Sequence, residues 1–147
     1  MTTDSPGTYA LVLNLSQDVA DVCIGRLGRF YFPAGWYVYV GSARGPGGLV
    51  ARLARHLRPL KALHWHIDYF RAHASPVEIW YTTGTQRWEC AWARALLSLV
   101  DATVPVSRFG ASDCRCSTHL IRFALPPDLM AFADALGAPV SREVLGE

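Results

Sequence analysis

The chain has 147 residues, 51% of them hydrophobic and 12% aromatic, and a net charge of +2. That length supports one domain burying about two-thirds of its surface, and the composition excludes a disordered segment. No apolar run approaches the roughly 20 residues of a membrane-spanning helix, and the first residues lack the basic and apolar regions of a signal peptide. Cys23, Cys90, Cys114 and Cys116 are too few and too clustered for a secreted disulfide framework, so a cytoplasmic protein with reduced thiols is expected.

In chain order, residues 1–6 read as a tail. Tyr9 to Leu15 reads as a strand, with Tyr9, Leu11, Leu13 and Leu15 on one face. Val22 to Phe32 reads as a second strand, a turn and a short third piece, and Pro33-Ala34-Gly35 as a turn. Trp36-Tyr37-Val38-Tyr39-Val40, aromatic and β-branched, is the clearest strand, with Tyr37 and Tyr39 sharing a face. A glycine-rich loop from Gly41 to Gly48 precedes a helix from Leu49 to Arg58, stopped by Pro59. Leu49, Val50, Leu53 and Leu57 are its expected buried stripe, with Arg52, Arg55 and His56 together on the other side. Trp65 to Arg71 reads as helical, Val77 to Thr83 as a strand, Gln86 to Val100 as a helix and residues 109–118 as a polar loop. Leu120 to Leu125 reads as a strand, and Pro126-Pro127 open a helix running to Leu136. Nothing repeats. Residues 7–138 are therefore expected to form one α/β (α+β) domain, a small antiparallel or mixed sheet flanked by helices, with 139–147 as a C-terminal tail.

The small net charge conceals an asymmetry. Between Val22 and Ile67 there is no acid, while the stretch holds Arg26, Arg29, Arg44, Arg52, Arg55, Arg58 and Lys61; the remainder carries seven basic residues against twelve acidic ones. Such segregation predicts an electropositive surface for a polyanion, and nucleic acid is the usual one. A merely solvated basic face is the alternative.

Glu89 is the most informative single residue. At helical spacing it shares a face with Trp92, Ala93, Leu96 and Val100, so its carboxylate faces protein. A buried charge costs several kcal/mol unless it is paired or binds a metal, so Glu89 requires a cationic partner. His64 and His66 are two apart and would share a face in an extended segment, where they could bind phosphate or protonate a leaving group; equally, Trp65 could anchor a turn that the histidines cap. In Cys114-Arg115-Cys116-Ser117-Thr118-His119, two thiolates and an imidazole suit Zn²⁺, with Cys90 as a fourth ligand. The C-x-C spacing is tighter than in the usual structural site, so a loop packed on the Glu89 helix is preferred over zinc at Cys114 and Cys116.

Gly7-Thr8-Tyr9 followed by Tyr39-Val40-Gly41 resembles the paired motif of the GIY-YIG nuclease superfamily, and the order continues with an arginine on the next helix and a glutamate on a later one. Trp36 to Ala43, Arg52 to Leu57, His64 to Tyr69 and Phe109 to Cys114 together resemble one uncharacterised branch of that superfamily, a domain of unknown function sometimes attached to a base-excision DNA glycosylase. The resemblance spans residues 7–125. It implies a GIY-YIG-like fold and a metal-dependent endonuclease that hydrolyses DNA phosphodiester bonds in repair or processing. Glu89 would bind a single Mg²⁺ or Mn²⁺, and Arg52 would contact the scissile phosphate. Tyr9 and Tyr39 would position or deprotonate the attacking water, His56 would assist proton handling, and Gly41 would let the backbone pass close to the substrate. Ser42, Arg44, Arg55, Lys61, His64 and His66 are the further expected nucleic-acid contacts. DNA is the expected partner, with RNA left open, and a DNA-repair protein is a second candidate partner.

The chemistry suits these residue types. One carboxylate suits a one-metal site. Arginine matches phosphate bidentately. A tyrosine, with an ordinary pKa near ~10, needs a nearby cation to act as a base at neutral pH, and Arg52 or the metal could supply it. The chain also departs from the family pattern. Thr8 stands for the usual isoleucine, and the long interval from Tyr9 to Tyr39 predicts an inserted hairpin around residues 22–32. A longer loop before the helix leaves open whether Arg52 or Arg55 faces the site. The asparagine that many relatives carry after the glutamate is absent, since Asn14 is the chain's sole asparagine, and Asp113 is a candidate substitute. Two alternatives follow: a non-cleaving nucleic-acid-binding module of the same fold, and a zinc-stapled interaction domain.

Overall fold

Strand β1 (Gly7–Leu15) is apolar at nearly every position, and the fold uses both of its faces. Tyr9, Leu11, Leu13 and Leu15 enter one core, as their alternation predicts, while Ala10 and Val12 enter a second core on the opposite side. Such a strand belongs at the centre of a sheet. It pairs antiparallel with β4 (Gly35–Ala43) on one side and with β5 (Ser75–Thr83) on the other. Strands β6 (Leu120–Phe123) and β7 (Ser141–Val144) extend the sheet outward, giving the antiparallel order β6-β4-β1-β5-β7. The computed structural model describes residues 3–59 and 62–146.

A separate two-stranded hairpin, β2 (Val19–Ile24) and β3 (Gly28–Phe32), fills the interval in which an insertion is expected. With α1 (Gly48–Leu57) and α2 (His66–Arg71) it closes the first core. There Phe32, Tyr37 and Phe70 pack with ring centroids 4.7 to 6.1 Å apart. The second core lies under α3 (Glu89–Leu97) and α4 (Leu129–Leu136), where Phe132 stacks on Trp80 at 5.4 Å and meets the edge of Trp92 at 5.0 Å. The chain is thus a mixed α+β protein, as expected, whose described residues form a five-stranded antiparallel sheet, a two-stranded sheet and four flanking helices. Among the described residues no helix is long and apolar enough to cross a membrane.

Four local readings are corrected. His56 is fully buried, on the inward stripe of α1 with Leu49 and Leu53, whereas Val50 and Leu57 are half-buried. Positions 49, 53 and 56 are i, i+4 and i+7 of one helical face, so geometry overrides polarity here. Helix α3 ends at Leu97, because the Ser98 hydroxyl donates to the carbonyl of Ala95 at 2.6 Å and the chain turns away; Val100 is 92% exposed. Pro126 and Pro127 precede α4 rather than open it: Asp128 caps the helix by accepting from the amide of Met130 at 2.9 Å. Residues 139–147, expected as a tail, include β7, an edge strand whose Ser141, Arg142 and Val144 are exposed and which holds on by backbone pairing to β5.

The N-terminal segment is also tied down. The amide of Leu49 donates to the Ser5 carbonyl at 2.9 Å and that of Val50 to the Thr3 carbonyl at 3.0 Å, which satisfies N–H groups that the first turn of α1 leaves without intrahelical partners.

Candidate functional site

Tyr9 on β1 lies directly opposite Gly41 on β4. A Cβ on Gly41 would fall 2.5 Å from the Tyr9 hydroxyl oxygen. Glycine at this position therefore lets the phenol lie across the neighbouring strand, and the protein's own tyrosine takes the room it leaves. Gly41→Ala is expected to displace the Tyr9 ring and cost about 1–3 kcal/mol by overpacking. Thermal denaturation would show this as a fall in Tm of about 5 °C.

The Tyr9 hydroxyl shares a 2.5 Å hydrogen bond with Nε2 of His56, and the rings of Tyr9 and Tyr39 both pack against that imidazole. Burial raises the Tyr9 phenol well above its ordinary value, and Tyr39 adds to this; Arg52 pulls the other way without overcoming it. Burial likewise pushes Tyr39 up to about 12 against the opposing pull of Arg52. Both tyrosines are neutral phenols at neutral pH, so the nearby arginine does not make either of them a ready base.

These residues open into a cleft of about 630 Å³, lined by Tyr9, Tyr39, Gly41, Ser42, Arg52, His64, His66 and Glu89, with Arg87 and Asp113 as further charged residues. The Arg52 guanidinium lies 4.6 Å from the Trp65 ring centroid and donates from Nη1 to the Ser42 carbonyl at 2.9 Å. Arg55 takes a different role. It lies 4.0 Å from the same ring and donates through both terminal nitrogens to Asp68, each at 2.9 Å. Of the two candidate arginines, Arg52 lines the cleft and Arg55 braces it from outside.

Asp68 is the hub of that brace. Its side chain is wholly buried, and it also accepts the amides of His64 and Trp65, each at 2.9 Å. As the third residue of α2 reaching back to the residue before the helix, it closes the N-terminus in capping-box fashion. Burial by itself would raise its pKa, but the Arg55 hydrogen bonds and the two amides outweigh this and hold the carboxyl at about 2. Sequence reading passes over Asp68, although its spacing from His64 and Trp65 is the local signal.

His66 begins α2, so His64 and His66 do not share an extended face. His66 accepts the Gly110 amide at Nδ1, 2.8 Å away, which places its ring proton on Nε2, and burial lowers its pKa. Lys61 lies outside the described residues.

Glu89 is the first residue of α3, 24% exposed, and its partner is Arg44 at 3.6 Å. Arg44 also donates to the carbonyls of Thr85 at 2.8 Å and Gln86 at 3.1 Å. The basic stretch is therefore partly neutralised from elsewhere in the chain: Arg29 meets Asp21, Arg44 meets Glu89 and Arg55 meets Asp68. Two carboxylates, Glu89 and Asp113, line this polar cleft, a donor set that suits a largely hydrated hard cation such as Mg²⁺ or Mn²⁺.

Beside Glu89 the fold assembles a second donor set. The ligand atoms of Cys90, Cys114, Cys116 and His119 all lie within 4.8 Å of one another, and this set could hold a metal ion. The C-x-C spacing that argued against a metal site concerns two of the donors; α3 and the chain entering β6 bring the other two. Burial, then the neighbouring Cys90 and Cys114, push the Cys116 thiol up to about 12. Burial lowers the pKa of His119, with Glu89 opposing. The loop from Phe109 to Thr118 is gathered by Arg108, whose guanidinium donates to the carbonyls of Ala111, Cys114 and Cys116 at 2.5 to 2.7 Å. No sequence signal singles out Arg108 for this.

Comparison with protein families matches residues 8–138 to the Domain of unknown function DUF123. No curated protein and no solved structure gives a match. The matched span runs from β1 through α4 and takes in both the cleft and the cysteine cluster, and the chain belongs to the DUF123 family.

Proposed function

We propose that this protein is a GIY-YIG-type endonuclease that hydrolyses DNA phosphodiester bonds with one divalent metal at Glu89, in DNA repair or processing. The observation that carries this reading is the convergence in one cleft of Tyr9, Tyr39, Arg52 and Glu89, from four separate elements, with His56 bonded to Tyr9. The free thiols fit a reducing compartment, the cytoplasm.

Glu89 would hold Mg²⁺ or Mn²⁺, with water and phosphate oxygens as the remaining ligands. When bound, the metal supplies charge neutralisation at the phosphate and the leaving oxygen. Arg52, backed by Trp65, presents a planar fork to the same phosphate. Tyr9 is neutral, so it acts by relay: it takes a proton from the attacking water while passing its own to Nε2 of His56. Tyr39 helps to orient the water, and His64 at the rim can protonate the leaving oxygen. Asp113, on the cleft lining, is the substitute for the missing asparagine.

The Arg44–Glu89 ion pair favours a second reading, in which the cleft holds nucleic acid without cutting it. Labelled single-stranded, duplex, flapped and branched DNA, with and without Mg²⁺ or Mn²⁺, separates the two. Cleavage that needs the metal and stops on chelation is expected. Salt-dependent binding with no products on any substrate would establish the second reading instead. RNA substrates belong in the same panel, because phosphate contacts do not report the sugar.

A further inference from the structure

We propose that Cys90, Cys114, Cys116 and His119 form a structural Zn²⁺ site that rivets the 109–118 loop to the first turn of the Glu89 helix. In a tetrahedral zinc site, bond lengths of about 2.3 Å to sulfur and 2.0 Å to nitrogen put ligand atoms about 3.5–3.8 Å apart. The four donors here already lie within 4.8 Å of one another, and Cys114 Sγ stands 3.4 Å from His119 Nε2. The set needs a modest contraction and no rearrangement of the backbone.

The donors come from three parts of the chain: one from the helix, two from the loop, and one at the entry to β6. The loop has no helix or strand of its own and exposes Ser112, Asp113, Arg115 and Ser117, so apolar burial there rests on Phe109 and Ala111. A metal linking it to α3 supplies what a small core cannot. Three sulfurs and an imidazole form a soft set that favours zinc over Mg²⁺, and four protein ligands make a closed site, structural rather than catalytic. Because Cys90 follows Glu89 directly, this metal would fix the carboxylate in the cleft wall while remaining chemically distinct from any oxygen-bound cation at Glu89.

The test is independent of cleavage. Protein purified without added metal should carry about one zinc per chain. Cobalt reconstitution should give visible tetrahedral bands with a near-ultraviolet sulfur-to-cobalt band, both lost in Cys116→Ser and retained in Cys23→Ser, whose thiol is exposed and outside the cluster. Should Cys116→Ser not fold, alkylation of the native chain decides the matter. Zinc should shield Cys90, Cys114 and Cys116 while Cys23 reacts, and a chelator should release all three. Protein that purifies without zinc and takes up no cobalt, or equal alkylation of all four cysteines with and without chelator, overturns the proposal.

Discussion

Glu89→Gln is expected to lower metal-dependent DNA cleavage by at least about a hundredfold, because one lost transition-state charge contact is worth roughly 3 kcal/mol. The change keeps shape and removes the one carboxylate proposed for the metal. The fold should tolerate it. The Arg44–Glu89 pair is partly exposed, and such pairs contribute about 0–1 kcal/mol. Arg44 keeps its two carbonyl acceptors. A negative charge in the first turn of a helix contributes about 0.3–1 kcal/mol. Thermal denaturation should therefore move by only a few degrees, and binding of uncut DNA should persist through Arg52 and the rim. An unchanged cleavage rate with Mg²⁺ would remove Glu89 from the mechanism.

Asp68→Ala carries the largest expected effect on stability. It removes the two carboxylate oxygens that accept from Arg55, which keeps only a longer hydrogen bond to the Ala62 carbonyl at 3.4 Å among the described residues, and leaves the amides of His64 and Trp65 without their partner. Removing one member of a buried pair costs about 3–5 kcal/mol, and Arg55 is partly exposed and can rehydrate, so about 3 kcal/mol is expected. For a chain of this size that lowers Tm by about 10 °C. Cleavage should fall too, because Asp68 fixes Trp65 and Trp65 backs Arg52. The linkage has a definite sign. The folded-state pKa, about 2, lies below the ordinary 3.8, so the stabilisation is complete above that ordinary value and is lost as pH falls toward 2. The difference corresponds to about 2 kcal/mol. Denaturant melts of both proteins should therefore converge on acidification. A gap that stays constant from neutral pH to pH ~2 would show that the charged form of Asp68 contributes nothing.

The aromatic strands were legible because β-branched and aromatic residues in a period of two carry their own message. Tyr9, Leu11, Leu13 and Leu15 needed nothing beyond alternation to reach the first core. The hairpin at β2 and β3 was legible from a spacing. His56 was misread because its residue type outweighed its position; the i, i+4, i+7 relation to Leu49 and Leu53 was available and names the buried face. Trp65 as the anchor of a turn is one of two readings the sequence leaves open, and its two cationic neighbours depend on a turn that local sequence does not specify. The cysteine cluster was legible further: its loop residues, Cys90 as a fourth donor and the packing of the loop on the Glu89 helix were all readable, and only the closeness of the four donors needed the fold. β7 gave no signal, because Ser-Arg-Glu-Val on an edge has no apolar alternation and holds by backbone bonds.

Because β1 is paired along both sides, its amides sit in ladders that open only when the sheet comes apart. In deuterium exchange, Tyr9 and its neighbours should be among the last to label, while the exposed stretch around Ser112 and Asp113 should label early. One wall of the cleft thus belongs to the doubly paired strand and another to an exposed loop. A ligand that bridges the two walls would register as slowed labelling in the loop alone, leaving β1 unchanged.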